Sequence, residues 1–374
     1  MIKRAYNLSE HLKEGKVLVI YGARRVGKTT IVRNYLEQSN LKFKADVGDD
    51  MRIRRLFESL DLKLLKEYAE GYELIFIDEA QQIPKVGNSL KLLIDNIPGL
   101  KIIATGSSSF ELSGMIGEPL TGRKNTLLLF SFSHSELSNY FSKYDLRQQI
   151  EDFLIYGCYP EVVLSKSRQE KISCIEELVN SYLLKDILTL DKIKSPVTLS
   201  NLLKLLAFQI GSPVSLNELS TKLHIDIKTV GRYLDLLEKS FVIKKINGYS
   251  NNLRDEVTSK CKYYFLDNGI RNGVISLFNK IEDRNDIGQL WENFMVSERI
   301  KKITYDELLP VQYHFWRNYS GKETDWIEII DGKMTAYEFK WKAEKSRQKQ
   351  AFTKIYTDVN YHVVNSENYL DFLL

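Results

Sequence analysis

Apolar runs and helical spacing alternate along the first third of the chain. The run VLVIY ends at Gly22, and apolar residues then recur at helical spacing from Lys28 to Gln38. Two further apolar runs, within YELIFID and LKIIATG, also end in polar residues. Continuous runs rich in β-branched residues are typical of parallel strands that are buried on both faces. The pattern therefore predicts a parallel α/β sheet domain at residues 1–140.

Helical spacing dominates the next stretch, from about residue 147 to residue 193. It is interrupted at GCYPE, where Gly157 and Pro160 are expected to break a helix. We assign residues 141–195 to a helical connector or lid, and plain packing is the preferred interpretation of its role.

Three shorter helices are predicted after this connector, with a tight turn at LHID and a strand in FVIKKI. The helices span Leu199–Gln209, Ser215–Leu223 and Asp226–Glu238. This order is typical of a winged helix-turn-helix, in which the second helix of the motif enters the major groove of DNA. We assign this unit to residues 196–275.

The last part of the chain predicts a second α/β domain. A helix in DIGQLWENFMVSERIKK precedes strands in VQYHFWRN, ETDWIEII and MTAYEFKW, and DGK forms a hairpin turn between the last two strands. A helix in EKSRQKQAFTKIY and a strand in NYHVVN complete the order. Helix–strand–strand–strand–helix–strand resembles the core of restriction-endonuclease-like domains, and we assign this domain to residues 285–374.

Length and composition fit a folded chain of more than one domain. The 374 residues are too many for one ordinary core, and 43% apolar with 27% charged residues is normal for a soluble protein. The net charge of +4 permits contact with nucleic acid without arguing for it. The widely spaced Cys158, Cys174 and Cys261 argue against a zinc site or a disulfide framework. Because no run resembles a leader or a membrane span, we expect a cytoplasmic protein without a membrane partner.

The stretch GARRVGKTT carries the most specific chemistry. Its spacing, Gly22-x-x-x-x-Gly27-Lys28-Thr29, is a full phosphate-binding P-loop placed between a predicted strand and a predicted helix. Glycines let backbone N–H groups turn towards phosphate oxygens, and the positive end of the helix faces the same anion. Lys28 would reach the β- and γ-phosphates of ATP, and Thr29 would ligate Mg²⁺. The residues expected to hold ATP are Gly22, Ala23, Arg24, Arg25, Val26, Gly27, Lys28, Thr29 and Thr30.

Four further residues are expected to complete an ATP-hydrolysing site. Asp78, at the end of the second strand, can hold Mg²⁺ together with Thr29, and the adjacent Glu79 can orient the attacking water. Thr105, at the end of the third strand, can sense the γ-phosphate, or it can simply belong to the turn that follows. Arg123 can act as a finger on the nucleotide of a neighbouring subunit in a homo-oligomer; the alternative is an arginine at a strand edge.

DNA binding is one interpretation of the winged helix. Lys228 and Arg232 lie one turn apart on its third helix and suit contacts to DNA phosphates. Winged helices also serve as protein-interaction modules, and two charges on a helix are also an ordinary solvated face. The sequence leaves both interpretations open.

Nucleic-acid cleavage is one interpretation of the last domain. In restriction-endonuclease-like domains an acid lies on one strand and an E-x-K pattern on the next, which Asp325 and Glu338-x-Lys340 match. Glu292 on the preceding helix is a further acid for this site. The carboxylates would bind a second Mg²⁺ or a Mn²⁺, and the lysine would lower the pKa of the attacking water or stabilise the pentavalent phosphate. The alternative is a retained scaffold that binds DNA or another subunit.

A family resemblance joins these motifs. GARRVGKTT, LIFIDEAQQIP, IIATGSSS and LTGR resemble the motifs of a large prokaryotic family of AAA-type P-loop ATPases with a C-terminal domain of unknown function. The resemblance continues through YGCYPEVVL and YLLKDIL to the end of the chain. It implies an AAA-type fold that uses ATP and Mg²⁺, and it also implies a winged helix in the middle. Three functions stay open: an ATP-dependent enzyme acting on DNA, a nucleotide-controlled switch with protein partners, and a DNA-binding regulator controlled by ATP.

Overall fold

The N-terminal unit contains a sheet of five parallel strands. The structure, a computed structural model, describes residues 2–107, 119–183, 195–250, 261–306, 310–318, 320–343, 349–357 and 359–374. The strands are β1 (Val17–Tyr21), β2 (Phe43–Val47), β3 (Leu74–Asp78), β4 (Lys101–Gly106) and β5 (Lys124–Leu128). Their order in the sheet is β2-β3-β4-β1-β5, so that β4 lies between β1 and β3.

Both faces of this sheet are buried. Successive side chains of β1 enter two different cores, Leu18 and Ile20 on one side and Val17 and Val19 on the other. The helices of this unit are α1 (Leu8–His11), α2 (Lys28–Gln38), α3 (Met51–Glu58), α4 (Leu62–Ala69) and α5 (Val86–Asn96). The parallel α/β sheet predicted from the apolar runs is confirmed.

A series of short helices follows the sheet. They are α6 (His134–Leu137), α7 (Lys143–Gln148), α8 (Ile150–Tyr156), α9 (Pro160–Leu164) and α10 (Arg168–Glu177), and α10 continues as a π-helical turn at Leu178–Leu183. Gly157 separates α8 from α9 with φ 75°, and a Cβ there would lie 1.9 Å from a carboxylate oxygen of Asp267. Pro160 begins α9, where its missing N–H costs nothing. Residues 184–194, the end of the predicted connector, lie outside the described residues.

The middle unit has the predicted order of three helices and a strand. Its helices are α11 (Pro196–Phe208), α12 (Leu216–Leu223) and α13 (Ile227–Lys239), followed by an antiparallel pair, β6 (Ile243–Asn247) and β7 (Cys261–Phe265), and by α14 (Asn268–Val274). His224, with φ 55°, forms the tight turn that ends α12, and the carboxylate of Asp226 caps α13. Residues 251–260, which connect the two strands, lie outside the described residues.

The C-terminal unit is a four-stranded sheet with helices. Its elements are α15 (Ile287–Tyr305), β8 (Gln312–Arg317), β9 (Glu323–Ile330), β10 (Lys333–Phe339), α16 (Lys349–Thr353), β11 (Asn360–Val364) and α17 (Tyr369–Leu373). Strands β8, β9 and β10 are antiparallel neighbours, and β11 joins the edge of β10 in parallel. The order up to β11 is the predicted one, whereas the pattern did not indicate α17.

The three units share a core. One hydrophobic cluster extends from Ile2 through the helices of the middle unit to Leu373. The middle unit also extends the C-terminal sheet, because the N–H of Tyr249 donates to the carbonyl of Phe315 at 2.6 Å. The units are therefore joined by packing and by backbone pairing.

Asp267, buried in front of α14, fastens three segments together. One carboxylate oxygen accepts hydrogen bonds from the Ser131 hydroxyl and the Cys158 N–H, both at 2.9 Å. The other accepts from the N–H groups of Gly269 and Ile270, which caps α14. Burial raises the pKa of Asp267, with Lys301 and these donors opposing the rise.

Replacing Asp267 by alanine should lower the free energy of unfolding by roughly 4 kcal/mol, because several buried donors lose their acceptor at once. Asp226→Ala is the matched control, since it removes an exposed helix cap and should cost about 1 kcal/mol. Urea unfolding followed by circular dichroism measures both. Equal losses in the two variants would show that Asp267 acts as a helix cap alone.

Candidate functional site

The P-loop connects β1 to α2 in a conformation that its glycines permit. Gly22 has φ 155°, and a Cβ there would lie 2.1 Å from the carbonyl oxygen of Leu129. Gly27 has φ 99° and immediately precedes α2. A larger residue at Gly22 would collide with the backbone, and one at Gly27 would be strained by the left-handed φ. The first N–H groups of α2 therefore face the space above the carboxyl end of β1, where an anion is favoured.

Lys28 lies across the mouth of this loop. Its ammonium donates to the carbonyl oxygens of Gly22 and Ala23, both at 2.9 Å, and the residue is 5% exposed. The side chain is thus already turned towards the position that phosphate oxygens of a nucleotide would take.

The predicted magnesium ligands meet at the carboxyl edge of the sheet. The Thr29 hydroxyl donates to the Asp78 carboxylate at 2.8 Å. The Thr105 hydroxyl donates to the other oxygen of Asp78 and accepts the N–H of Glu79 at 3.1 Å. Thr105 can do this because β4 lies between the strands that carry the P-loop and Asp78. A hydroxyl and a carboxylate in contact are hard oxygen donors that fit Mg²⁺.

Glu79 is held by Gln81, a residue of the same motif for which the sequence predicts no role. Its backbone is left-handed, with φ 48°, and Gln81 donates to its carboxylate and to the Ser107 hydroxyl. A Cβ on Gly48 would lie 2.4 Å from the carbonyl oxygen of Glu79, so a glycine is required there. The orientation of the Glu79 carboxylate is thus fixed by Gln81.

Arg4, which lies in no recognised motif, supports the loop from outside. Its guanidinium donates to the carbonyl oxygens of Val26 and Phe130 at 2.6 and 2.7 Å and pairs with Glu136 at 2.8 Å. No local pattern in the sequence marks this arginine, because its partners are distant along the chain.

The N-terminal segment also borders a cavity beside the loop. The cavity has a volume of about 730 Å³ and is lined by Tyr6, Thr30, Tyr35, Pro160 and Leu164, among others. Its size and its aromatic and apolar lining suit a small molecule such as a nucleoside. Residues from α9 take part, which places the helical connector over the loop.

Arg25 and Arg123 lie in different surroundings. Arg25 pairs with Glu161 at 3.1 Å and with Glu177 at 2.6 Å, and so ties the loop to α9 and α10. Arg123 immediately precedes β5, at the amino ends of the parallel strands. The P-loop lies at their carboxyl ends, roughly 15 Å away along β1. Arg123 pairs with Asp95 and is half-exposed. Arg123 therefore cannot reach the nucleotide site of its own chain.

The acids predicted in the C-terminal unit lie close together. The register of β9 and β10 pairs Tyr337 with Trp326, so Asp325 and Glu338 form the next pair. The N–H of Phe339 donates to the Asp325 carboxylate at 2.8 Å. Lys340 pairs with Glu338 at 2.9 Å, and its side chain is 38% exposed. Glu338 itself is buried and also accepts a hydrogen bond from the Tyr361 hydroxyl at 2.6 Å. The strand ends opposite the hairpin turn thus bring two carboxylates together beside a partly exposed lysine.

Two acids and a lysine that the E-x-K pattern does not include surround Asp325. Carboxylate oxygens of Glu292, Glu323 and Asp325 lie within 4.8 Å of one another. Lys262 of β7 donates to Glu292 at 2.9 Å and also to Glu323. The Tyr264 hydroxyl donates to Glu292 at 2.6 Å. Of these residues, Glu292 was predicted from the sequence as a further acid of the site. Glu323 was not, although it stands only two residues before Asp325. No signal in the sequence links Lys262 to this group.

The charged groups of this cluster change one another's pKa values. Burial and the nearby Glu292 carboxylate raise the pKa of Asp325 well above its usual value. Burial raises the pKa of Glu323 as well, against the opposing effect of Lys262. Burial disfavours the Lys262 ammonium, but Glu292, Glu323 and Asp325 outweigh it and raise the pKa of Lys262. A cation bound among these oxygens would relieve their mutual repulsion, and the oxygen donors fit Mg²⁺ or Mn²⁺.

Lys228 and Arg232 are both exposed on α13. Further along the same helix, Asp235 pairs with Lys239 at 2.8 Å and Glu238 pairs with Lys244 of β6 at 2.9 Å. The exposed basic residues Lys228 and Arg232 therefore lie in the first half of α13.

Comparison with family models divides the chain into three matched parts. Residues 14–138 match a family described as an AAA domain. The N-terminal unit is therefore similar to a P-loop domain of the AAA type. Residues 147–281 match a domain of unknown function (DUF8612), and residues 287–372 match another domain of unknown function (DUF4143).

Proteins of similar sequence match most of the chain. An uncharacterized protein of Mycobacterium tuberculosis is 25% identical over 90% of this chain and 73% of its own length. One of Haemophilus influenzae is 26% identical over 79% of this chain and 75% of its own. One of Methanocaldococcus jannaschii is 24% identical over 94% of this chain and 81% of its own. These matches extend across all three units.

Among solved structures, a DNA replication initiation factor matches 62% of this chain and 84% of its own, with 17% identity and a TM-score of 0.24. A score this low supports no inference about this protein. Within the residues that the structure describes, no helix combines the length and the apolar composition needed to cross a membrane.

Proposed function

We propose that this protein is a Mg²⁺-dependent AAA-type ATPase whose C-terminal half acts on or binds DNA in the cytoplasm. The observation that carries the ATPase proposal is the chain of contacts from Thr29 through Asp78 and Thr105 to Glu79. These contacts link the P-loop to Asp78, whose carboxylate suits Mg²⁺, and to Glu79, whose carboxylate suits the attacking water.

Each of these residues has a role in hydrolysis. Lys28 would exchange its two carbonyl partners for the β- and γ-phosphates. Thr29 and Asp78 would hold Mg²⁺, which would neutralise charge on the phosphates. Glu79, fixed by Gln81, orients and polarises the attacking water. Thr105 bonds the Asp78 carboxylate and the backbone N–H of Glu79, a position from which it would report whether the γ-phosphate is present.

Arg123 is proposed to act on a neighbouring subunit. Its position at the far edge of the sheet and its partial exposure suit a nucleotide held by another copy of the chain. Such an arginine stabilises charge on the phosphate during transfer. The proposal therefore includes a homo-oligomer in which each ATP site is completed by its neighbour.

A second proposed activity is metal-dependent cleavage of DNA by the C-terminal unit. The observation that favours it is the convergence of Asp325, Glu338 and Lys340 at one end of the β9–β10 hairpin. A bound Mg²⁺ or Mn²⁺ would activate the attacking water and polarise the phosphodiester. Lys340, still partly exposed, would stabilise the pentavalent phosphate. The alternative function is a binding module that works as a nucleotide-controlled switch.

The middle unit is proposed to be a winged helix that holds DNA. The order of α11, α12 and α13 with the β6–β7 pair supports this, as do the exposed Lys228 and Arg232. The competing role is protein interaction, in which case ATP would control a partner protein.

Glu79→Gln should bind ATP but hydrolyse it at least about 100-fold more slowly, because the amide keeps the shape and loses the base. Glu37→Gln, on the exposed side of α2, is the matched control and should hydrolyse ATP normally. Phosphate release and equilibrium binding of ATP measure the two effects. Wild-type hydrolysis by Glu79→Gln would exclude Glu79 as the base.

The Glu79→Gln variant also tests the proposed role of Arg123. Arg123→Ala should also be slow alone, whereas mixing it with Glu79→Gln subunits should restore part of the hydrolysis. The restored interfaces pair an intact Glu79 with an intact Arg123. Full activity of a strictly monomeric protein would contradict the arrangement.

Lys228→Ala combined with Arg232→Ala should weaken DNA binding and reduce the salt slope of the binding constant by about two units, one for each lost phosphate contact. Lys63→Ala with Lys66→Ala removes the same charge from the exposed α4 and should leave the slope unchanged. Fluorescence anisotropy over a series of salt concentrations measures the slope. Unchanged binding in the first variant would favour a protein partner.

Lys340→Ala should abolish nicking of supercoiled plasmid while Mn²⁺ still stabilises the protein, since the lysine is not a ligand. Asp325→Asn should lose both effects; the stabilisation expected of wild type is about 2.7 kcal/mol at a hundredfold excess of metal over Kd. Melting is measured with Lys28→Ala present, so that the P-loop contributes no metal. Lys333→Ala, at the exposed hairpin turn, is the control. Plasmid left intact by wild type with ATP and either metal would reject the nuclease proposal.

A further inference from the structure

The side chain of Lys262 is completely buried, yet its charge lies in the candidate metal centre of another unit. It belongs to β7 of the middle unit, and its ammonium bonds Glu292 of α15 at 2.9 Å and Glu323 of β9. A buried ammonium is stable only when carboxylates surround it. A lysine of the middle unit thus supplies one of the charges at the candidate metal centre of the C-terminal unit.

The position of this ammonium is rigid. The amide of Asn293 on α15 exchanges two hydrogen bonds with the backbone of Phe265, at 2.8 and 3.0 Å, which fastens β7 to α15. The Lys262 ammonium lies 5.1 Å from the ring centre of Phe315. Leaving the site would require β7 to separate from α15 and β6.

The charges of the centre leave room for one divalent cation. Glu292, Glu323, Asp325 and Glu338 carry four negative charges when all are ionised. Three cations face them: Lys262, Lys340 and Arg317, which pairs with Glu323 at 3.4 Å. One divalent cation brings the group within one charge of neutrality, whereas two would leave it with a large excess of positive charge. Lys262 pairs directly with Glu292 and Glu323, whereas Asp325 lies beside these two acids and is the cross-strand neighbour of Glu338.

We propose that Lys262 is a built-in cation that occupies the Glu292–Glu323 side of the centre, so that a single Mg²⁺ or Mn²⁺ binds beside Asp325 and Glu338. The centre is then a composite of the middle and C-terminal units. This inference rests on the proposed metal-dependent function of the C-terminal unit, and it assigns Glu292 and Glu323 to the lysine instead of to the metal.

The number of bound Mn²⁺ ions tests the inference. With Lys28→Ala present in every protein, calorimetric titration should give one Mn²⁺ for the parent and two for Lys262→Met, whose vacated carboxylates bind the second ion. Lys244→Met is the matched control, because Lys244 on the adjacent strand pairs with Glu238 outside the centre, and it should give one. One ion on both the parent and Lys262→Met overturns the inference and leaves the metal-dependent function standing. No Mn²⁺ on either overturns both.

A second variant does not depend on the stability of Lys262→Met. Glu323→Gln keeps the shape of the side chain and should bind Mn²⁺ within about threefold of the parent, whereas Asp325→Asn and Glu338→Gln should weaken binding by more than about tenfold. If Glu323→Gln weakens binding as much as Asp325→Asn, Glu323 is a metal ligand. The ion would then have to displace Lys262, and the inference is wrong.

Discussion

The buried charges of α15 set the constraint on which the rest of the structure depends. Glu298 and Lys301 lie one turn apart, almost completely buried, and pair at 2.6 Å. Lys301 also donates to the Ser131 hydroxyl and the Phe132 carbonyl, and Glu298 accepts the N–H of His134 at 2.6 Å. A buried ion pair is stable only when its remaining hydrogen bonds are made. The segment after β5 must therefore pack against α15 before these charges can be buried.

The same helix fixes the distance between the two candidate sites. Glu292 lies near its beginning, and Tyr305 is its last residue, roughly 20 Å further along the axis. The Tyr305 hydroxyl accepts hydrogen bonds from Arg4 and from the N–H of Phe130. Because Arg4 also bonds the carbonyl of Val26, the P-loop is attached to one end of α15 and the candidate metal centre to the other.

What could be predicted from the sequence depended on how far apart the cooperating residues lie. The P-loop is contained in eight consecutive residues, Gly22 to Thr29, whose glycines and lysine have no other common explanation. Asp325 and Glu338 could be paired because a two-residue turn fixes the register of a hairpin. Arg4 and Lys262 could not be foreseen, since each contributes through a contact set by packing. Gln81 lies only two residues after Glu79, but no pattern marks its side chain as the one that bonds the Glu79 carboxylate. The place of β4 within the sheet, which brings Thr105 to Asp78, is likewise a property of the topology.

The shared core has a consequence for how the chain can be divided. The two family models that cover residues 147–281 and 287–372 meet just before α15, within a region held together by Asn293, Asp267 and Lys262. A fragment beginning at that junction would expose the apolar side of α15 and would lack Lys262, which pairs with Glu292 and Glu323. The segments that sequence comparison recognises as separate domains therefore share one packed core, and we expect each to need the other for its stability.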